Sequence, residues 1–357
     1  MIAALVLVLA TPAGAQEIAQ INEQAPISAH GGWVVWSAKA SGRYRLFSWH
    51  NGLTRMQPVP GRARPFDIDV GSDARWRAVA TYSRCARWGS VKVYFARLVG
   101  VRCRLRILDL TSGRERATGV PEPPGTSDTM PSMWHGQIAF ARRDPAHHRQ
   151  VDQIMLWSPQ DQTLRSLRHG AVPTACPFRD PGDCAFAPPS GQVLGLDLGA
   201  RLLAFSWRVD APSVIGHGGY EVRADRLADG RSALVGSGYI GESCTGPGPD
   251  GTSLAPPVVD GDRVWYSQTT TSCYAVTASL NSYGAFPVRG RRGHLGGIVL
   301  QAVKDGPHLY ALVAPPNAPN EGPRCTPCTI EREAIPRLSR VHRLPPEPFW
   351  LPRNGRT

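Results

Sequence analysis

The sequence predicts an all-β fold, a six-bladed β-propeller with four-stranded antiparallel blades. Three observations predict it. First, a glycine-centred turn feeding an apolar run returns six times. The copies are His30-Gly31-Gly32 into Trp33–Ser37, Gly71–Arg75 into Trp76–Tyr82, and His135-Gly136 into Gln137–Ala141. They continue as Leu198-Gly199 into Ala200–Trp207, Asp260-Gly261 into Asp262–Ser267, and Asp305-Gly306 into Pro307–Val313. Units recurring every ~45–65 residues stack on neighbours, because none can bury its own apolar face. Second, Gly (37) and Pro (33) are abundant and charged residues make up only 19% of the chain, which favours short strands and turns over long helices. Third, each copy leads into a second apolar run, a polar turn and a short outer strand, giving four strands per unit.

In chain order, Ile2–Ala10 is a short apolar run and Ala13-Gly14-Ala15 has the small residues of a cleavage site, so 1–15 reads as a signal peptide. The run is shorter than the roughly 20 residues a bilayer-spanning helix needs, and no membrane span is expected. The propeller is expected over 16–345 and a C-terminal tail over 346–357. The second runs are Tyr44–Trp49, Leu105–Leu110, Ile154–Trp157, Tyr220–Leu227 and Tyr274–Leu280. Turns such as His50-Asn51-Gly52 and Ala228-Asp229-Gly230 close them, with Asn and Gly supplying positive φ. Outer strands are expected at Leu53–Val59, Glu115–Val120, Thr163–Leu167, Ser232–Ser237 and Phe286–Arg289. The sixth unit is the least regular, with Thr329–Glu333 followed by Leu338–Arg343. Closure of the ring must satisfy two sheet edges. Glu17–Ile21 is expected to add a strand to the sixth blade; the alternative is that Phe349, Trp350 and Leu351 cover the seam.

The segment Pro131–Phe140 (PSMWHGQIAF) resembles the P-x-W-S-P-D-G-x-I-A-F phrase of TolB-type and WD-repeat-like propellers. Looser echoes are Phe66–Gly71, which contains Asp67 and Asp69, and Val259–Asp262. The Ser-Pro-Asp-Gly core of the phrase is replaced in every copy. The resemblance implies a periplasmic or extracellular binding scaffold.

With strands lettered a to d from the centre outward, the extra length falls in the b–c and d–a connections. These are Ser83–Arg102, Arg142–Gln153, Gly170–Ser190, Val209–Gly219, Gly241–Ala255 and Ala314–Pro327. Strands alternate in direction, so all of them emerge on one side of the disc. Long connections on a rigid scaffold are where binding usually resides. All eight cysteines lie in or beside them, and an even number in an exported chain favours disulfides. Local pairs are expected: Cys85–Cys103, Cys176–Cys184, Cys244–Cys273 and Cys325–Cys328. A redox or zinc role for the last pair would call for a helix or a second ligand pair, and neither is evident. A secreted, periplasmic or cell-envelope location follows.

Net charge is +12, almost wholly arginine; the lysines are Lys39, Lys92 and Lys304. Scattered basic residues without a contiguous stripe argue against nucleic acid; solubility and biased codon usage are the simpler reading, and weak attraction to anionic surface polymers is the functional one. The binding-face candidates are Arg84, Arg87, Trp88, Asp144, His147, His148, His217 and Glu242. Asp144, His147, His148 and Asp152 are ligand types suited to zinc, calcium or a general base, but their spacing matches no zinc motif. Asp180 and Asp183 suit calcium or, more simply, a capped turn. Asp67, Asp69 and Asp197 on inner strands are the channel candidates, where they could hold a divalent cation; no other cofactor is expected. There is no Gly-x-Ser-x-Gly elbow, His-Glu-x-x-His pair or P-loop, and no catalytic residue is assigned. The expected protein is a monomeric, non-enzymatic scaffold that binds an exported protein or an anionic surface polymer through its long-loop face. The alternative is a propeller hydrolase or lyase using channel or loop carboxylates, which leaves open whether it is an enzyme.

Overall fold

The structure is a computed structural model that describes residues 15–92, 96–144, 152–167, 190–210, 218–240, 251–272, 275–286, 288–295, 298–315, 325, 327–336 and 338–341. These residues form a six-bladed β-propeller without a helix among them. The first strand, β1 (Gln16–Ile21), belongs to the last blade. Blade 1 is β2 (Ile27–His30), β3 (Trp33–Ala40), β4 (Arg43–His50) and β5 (Leu53–Met56). Blade 2 is β6 (Asp69–Ser72), β7 (Ala78–Lys92), β8 (Ala96–Asp109) and β9 (Glu115–Ala117). Blade 3 is β10 (Ser127–Trp134), β11 (Gln137–Arg143), β12 (Gln153–Ser158) and β13 (Thr163–Ser166). Blade 4 is β14 (Ser190–Leu198), β15 (Leu202–Asp210), β16 (Gly218–Arg226) and β17 (Ser232–Ile240).

Blade 5 has a split inner strand, β18 (Gly251–Leu254) and β19 (Val258–Asp260), then β20 (Arg263–Ser272), β21 (Ala275–Ala285) and β22 (Val288–His294). Both inner pieces pair with β20, and the break falls at Pro256 and Pro257, which have no N–H to give a ladder. Blade 6 is β23 (Ile298–Asp305), β24 (His308–Ala314) and β25 (Cys328–Ala334), completed by β1 on the free edge of β25. Closure by the N-terminal strand is thus as expected. The last strand, β26 (Ser339–Val341), is a correction: it pairs with β22 of blade 5, not with blade 6. The outer edge of β25 is already occupied by β1, so the chain crosses to the next available edge.

Five of the six glycine-centred turns lie between strands a and b; in blade 2 Gly71 instead lies inside β6, and the turn is Asp73–Arg77, which places Trp76 in the turn and not at the start of a strand. The b–c connections differ from expectation. Ser83–Arg102 is not a loop but the body of a long hairpin, paired from Val79↔Asp109 to Lys92↔Ala96. The β15–β16 and β20–β21 hairpins likewise continue to Asp210↔Gly218 and Ser272↔Ala275. Blades 4 and 5 also join through Ile240↔Gly251.

The core is divided among six clusters, one per blade interface. Strand b feeds two of them at once, because alternate side chains point to opposite faces. Val34 packs toward blade 6 and Val35 toward blade 2. Leu203 and Phe205 face blade 3, while Leu202 and Ala204 face blade 5. In blade 5, Val264 and Tyr266 face blade 4 and Trp265 faces blade 6. A strand buried on both faces reads as a near-continuous apolar run, which is what the six repeats show.

Inner strands of neighbouring blades come close enough to demand glycine. A Cβ on Gly71 would lie 1.8 Å from the Met133 carbonyl oxygen across the blade 2–blade 3 contact. Gly71→Ala is therefore expected to destabilise the protein by about 1–3 kcal/mol or more, as overpacking against backbone does. The check is the urea midpoint, and an unchanged midpoint would show that the two strands are not in close contact.

Candidate functional site

The inner strand of each blade has one edge in a ladder and one edge facing the axis. Its axial N–H groups need other partners. At every interface they find a side chain of the preceding blade. From blade 1 to 2, Val70 N donates to Ser28 Oγ (2.9 Å) and Phe66 N to Ser37 Oγ (3.2 Å). From 2 to 3, Met130 N donates to Asp67 Oδ2 (2.9 Å) and His135 N to Ser72 Oγ (3.1 Å). From 3 to 4, Leu198 N donates to Ser132 Oγ (2.8 Å) and Val193 N to Asp152 Oδ2 (3.1 Å). Val259 N reaches Asp197 Oδ2 from 4 to 5, and Ala302 N reaches Ser267 Oγ (3.0 Å) from 5 to 6. The ring closes where Gln301 accepts from Ile27 N (3.1 Å) and donates to Ile27 O (2.8 Å).

Two of the three channel candidates meet within this ring. Asp69 Oδ1 accepts from Ser28 Oγ (2.9 Å), and Asp197 Oδ1 accepts from Ser132 Oγ (3.2 Å). Asp69 Oδ2 meets no donor at hydrogen-bonding geometry among the described residues, although Ser132 and the Met133 amide are near enough to ease its charge. Both carboxyls are enclosed by the ring, and Asp69 lines the cavity at its centre. Burial raises Asp69 from the ordinary 3.8 to about 6. Asp197 is pushed well above the carboxylate range, by burial first and by the negative charge of Asp69 second. The pair therefore keeps a proton at pH values where isolated aspartates are ionised. Asp67, the third candidate, also lines the cavity but is held by Ser83 N (3.1 Å), Met130 N and the Arg62 guanidinium (3.2 Å).

The cavity measures about 70 Å³ and is walled by Pro26, Ile27, Met130, Pro131, Pro256 and Val258 beside the two carboxyls' strands. That is room for a few waters. Among the described residues no three His, Cys, Asp or Glu converge as metal ligands do.

The binding-face candidates are spread apart. Arg84, Arg87 and Trp88 lie on β7, where expectation had a loop. Arg84 pairs with Glu115 (2.6 Å), Arg87 is exposed, and the Arg62 guanidinium lies 5.8 Å from the Trp88 ring centre. Asp144 follows β11. Asp152 is buried and engaged by Arg143 (2.6 Å) as well as Val193 N, so it ties blade 3 to blade 4. His147, His148, Asp180, Asp183, His217 and Glu242 lie outside the described residues. Two expected disulfides are present, Cys85–Cys103 across β7 and β8 and Cys325–Cys328 at the start of β25. Cys176, Cys184, Cys244 and Cys273 lie outside the described residues. Disulfides of this kind belong to an oxidising compartment. Among the described residues no helix is long and apolar enough to cross a membrane.

The chain is a propeller by its own architecture. No protein-family model matches it, and no curated protein matches its sequence. Among solved structures it is similar to an oligogalacturonate lyase in complex with manganese, at 10% identity and a TM-score of 0.41, over 87% of this chain and 76% of that one. It is similar also to dipeptidyl peptidase 4 of Porphyromonas gingivalis, at 9% identity and a TM-score of 0.38, over 87% of this chain and 47% of the peptidase. Neither likeness bears on activity.

Sequence reasoning missed Ser28, Ser132, Ser267 and Gln301. The available signal was a polar residue inside an otherwise apolar inner or second strand. The carboxyl pair gives a pH prediction. A folded-state pKa raised above the unfolded value contributes stability that is full below the unfolded pKa and is lost as pH rises through the folded one. Asp69 thus costs stability progressively between about pH 4 and pH 6. Asp69→Asn should gain stability relative to the wild type across that window, and thermal melts at both ends measure it. A constant offset between the two proteins would show that Asp69 titrates normally.

Proposed function

We propose that the protein is an exported, disulfide-braced binding scaffold that holds an anionic partner, another exported protein or a surface polymer, on its long-loop face. The observation that carries this reading is the blade 2 hairpin. Its strand β7 runs for 15 residues where β3, the same strand of blade 1, runs for 8. At about 3.3 Å per residue the difference projects the hairpin some 20 Å further from the disc. Cys85–Cys103 staples its base, and Arg87 and Arg102 are exposed above Arg84, Arg104 and Arg106. Glu115 and Glu122 offset the last three, at 2.6 Å from Arg84, 3.8 Å from Arg106 and 2.8 Å from Arg104. Such an arm is rigid, cationic and set apart from the blade core.

The resemblance to TolB-type propellers supports the same role. The hydrolase or lyase reading would rest on Asp69 and Asp197, whose raised pKa values suit acid–base chemistry. Their hydrogen bonds to neighbouring blades and the size of the cavity favour a structural duty instead.

Retention on an anionic polymer matrix tests the proposal. The wild type should be retained at about 0.15 M salt and released as screening increases. Arg87→Glu with Arg102→Glu should elute substantially earlier, with an unchanged melting temperature. Equal retention of the two proteins would remove the hairpin as the contact.

A further inference from the structure

The opposite face, made of the tight a–b turns, carries an aromatic cluster with one strongly exposed ring. Trp76 sits in the β6–β7 turn, Trp134 ends β10, His135 sits in the β10–β11 turn, and His30 ends β2. Trp76 stacks on His135 with ring centres 4.3 Å apart and 24° between planes. Trp134 meets Trp76 edge-on at 5.6 Å and His30 edge-on at 5.8 Å. One face of Trp76 is thus covered, yet the residue is 61% exposed.

Its backbone is the second observation. Trp76 has φ 60° and His135 has φ 46°, both in the left-handed region. The corresponding turns of blades 1, 5 and 6 place Gly31, Gly261 and Gly306 there. A bulky residue in this region is an outlier that persists only where its surroundings over-determine it. Here they do. Asp73 Oδ1 accepts from Arg75 N (2.8 Å) and Arg77 N (3.0 Å), and Asp73 O accepts from Trp76 N (2.9 Å). Glycine would relax the turn and lose the indole, so the strain is carried for the sake of an exposed flat ring.

The neighbours indicate what lies on that ring. Arg75 is exposed beside Trp76, and no carboxylate among the described residues pairs with it. His135 covers the other face of the ring, and His30 meets Trp134 next to it. An exposed apolar planar face with a cation beside it matches a pyranose that shows C–H groups on one side and a carboxylate at its rim. The geometry points to a binding site for an acidic saccharide on the tight-turn face, with Trp76 as the stacking platform and Arg75 as the carboxylate contact. This site is separate from the long-loop face.

Calorimetric titration of the whole protein with a hyaluronan hexasaccharide, with cellohexaose and with a decaproline peptide tests it. Saturable binding of the hexasaccharide, weaker binding of cellohexaose and none of decaproline are expected. Trp76→Gly should lower affinity for the hexasaccharide by about tenfold or more, the loss that follows from removing a buried aromatic contact, while leaving the melting temperature unchanged or higher. Arg75→Ala should abolish the preference over cellohexaose. A lowered melting temperature in Trp76→Gly would make the indole a structural element and overturn the proposal. So would equal affinity for the neutral sugar, binding of decaproline alone, or no binding of any probe. Because the long-loop reading is tested with Arg87 and Arg102 on the other face, its failure and this one are distinguishable.

Discussion

The structure depends on how a closed ring satisfies the inner edges of its sheets. An open sheet can leave an edge to water, but six inner strands converging on one axis cannot. Each edge is met by Ser, Asp or Gln from the blade before it, always in the same rotational sense. A buried donor left unmade costs about 1–3 kcal/mol. One such loss at each of six interfaces would approach the ~5–15 kcal/mol that stabilises a typical domain. Polar residues at the axis are therefore a condition of closure, and the apolar clusters between blades can form only once it is met.

That constraint decides where function can reside. Asp69 and Asp197 have the perturbed titration often associated with active sites, but their oxygens face amides and hydroxyls of adjoining blades. Structural networks perturb titration too, and here the network accounts for the burial without any substrate. The two faces of the disc are free of that duty. One elaborates by extending hairpins, and the other keeps its turns short and alters the residues on them.

Much of this was legible in the sequence and some was not. The apolar runs and the Gly turns of five blades indicated blade number and strand order, because period and turn chemistry are local properties. The closing strand at Gln16–Ile21 could be anticipated from an edge that needed covering. The stitching residues could not, since Ser28 and Val70, or Gln301 and Ile27, become neighbours only when the ring is closed. Ser83–Arg102 read as a loop because Arg84, Arg87, Gly89 and Gly100 interrupt the apolar alternation that marks a strand. Trp76 read as the start of a strand, because nothing in the sequence marks a left-handed backbone at a tryptophan.

Strain and stitching are connected at blade 2. The segment that meets the axis, Asp69–Ser72, runs directly into the turn that holds Trp76. Ser72 accepts from His135 N through its hydroxyl and from Gly136 N through its carbonyl (3.0 Å), which pins the neighbouring turn against this one. Gly136 suits that approach, with a φ of 85° that side chains rarely adopt and only 3.2 Å between a Cβ there and Ala74. Of the two left-handed aromatic residues, His135 is thus held by a bond that closes the inner edge, and Trp76 by the Asp73 hydrogen bonds of its own turn and its stack on His135. A turn on a lone hairpin would relax to glycine-like geometry or flip its rings. Set on a closed ring, it keeps an exposed indole in a fixed orientation, and that fixity is what a stacking surface requires.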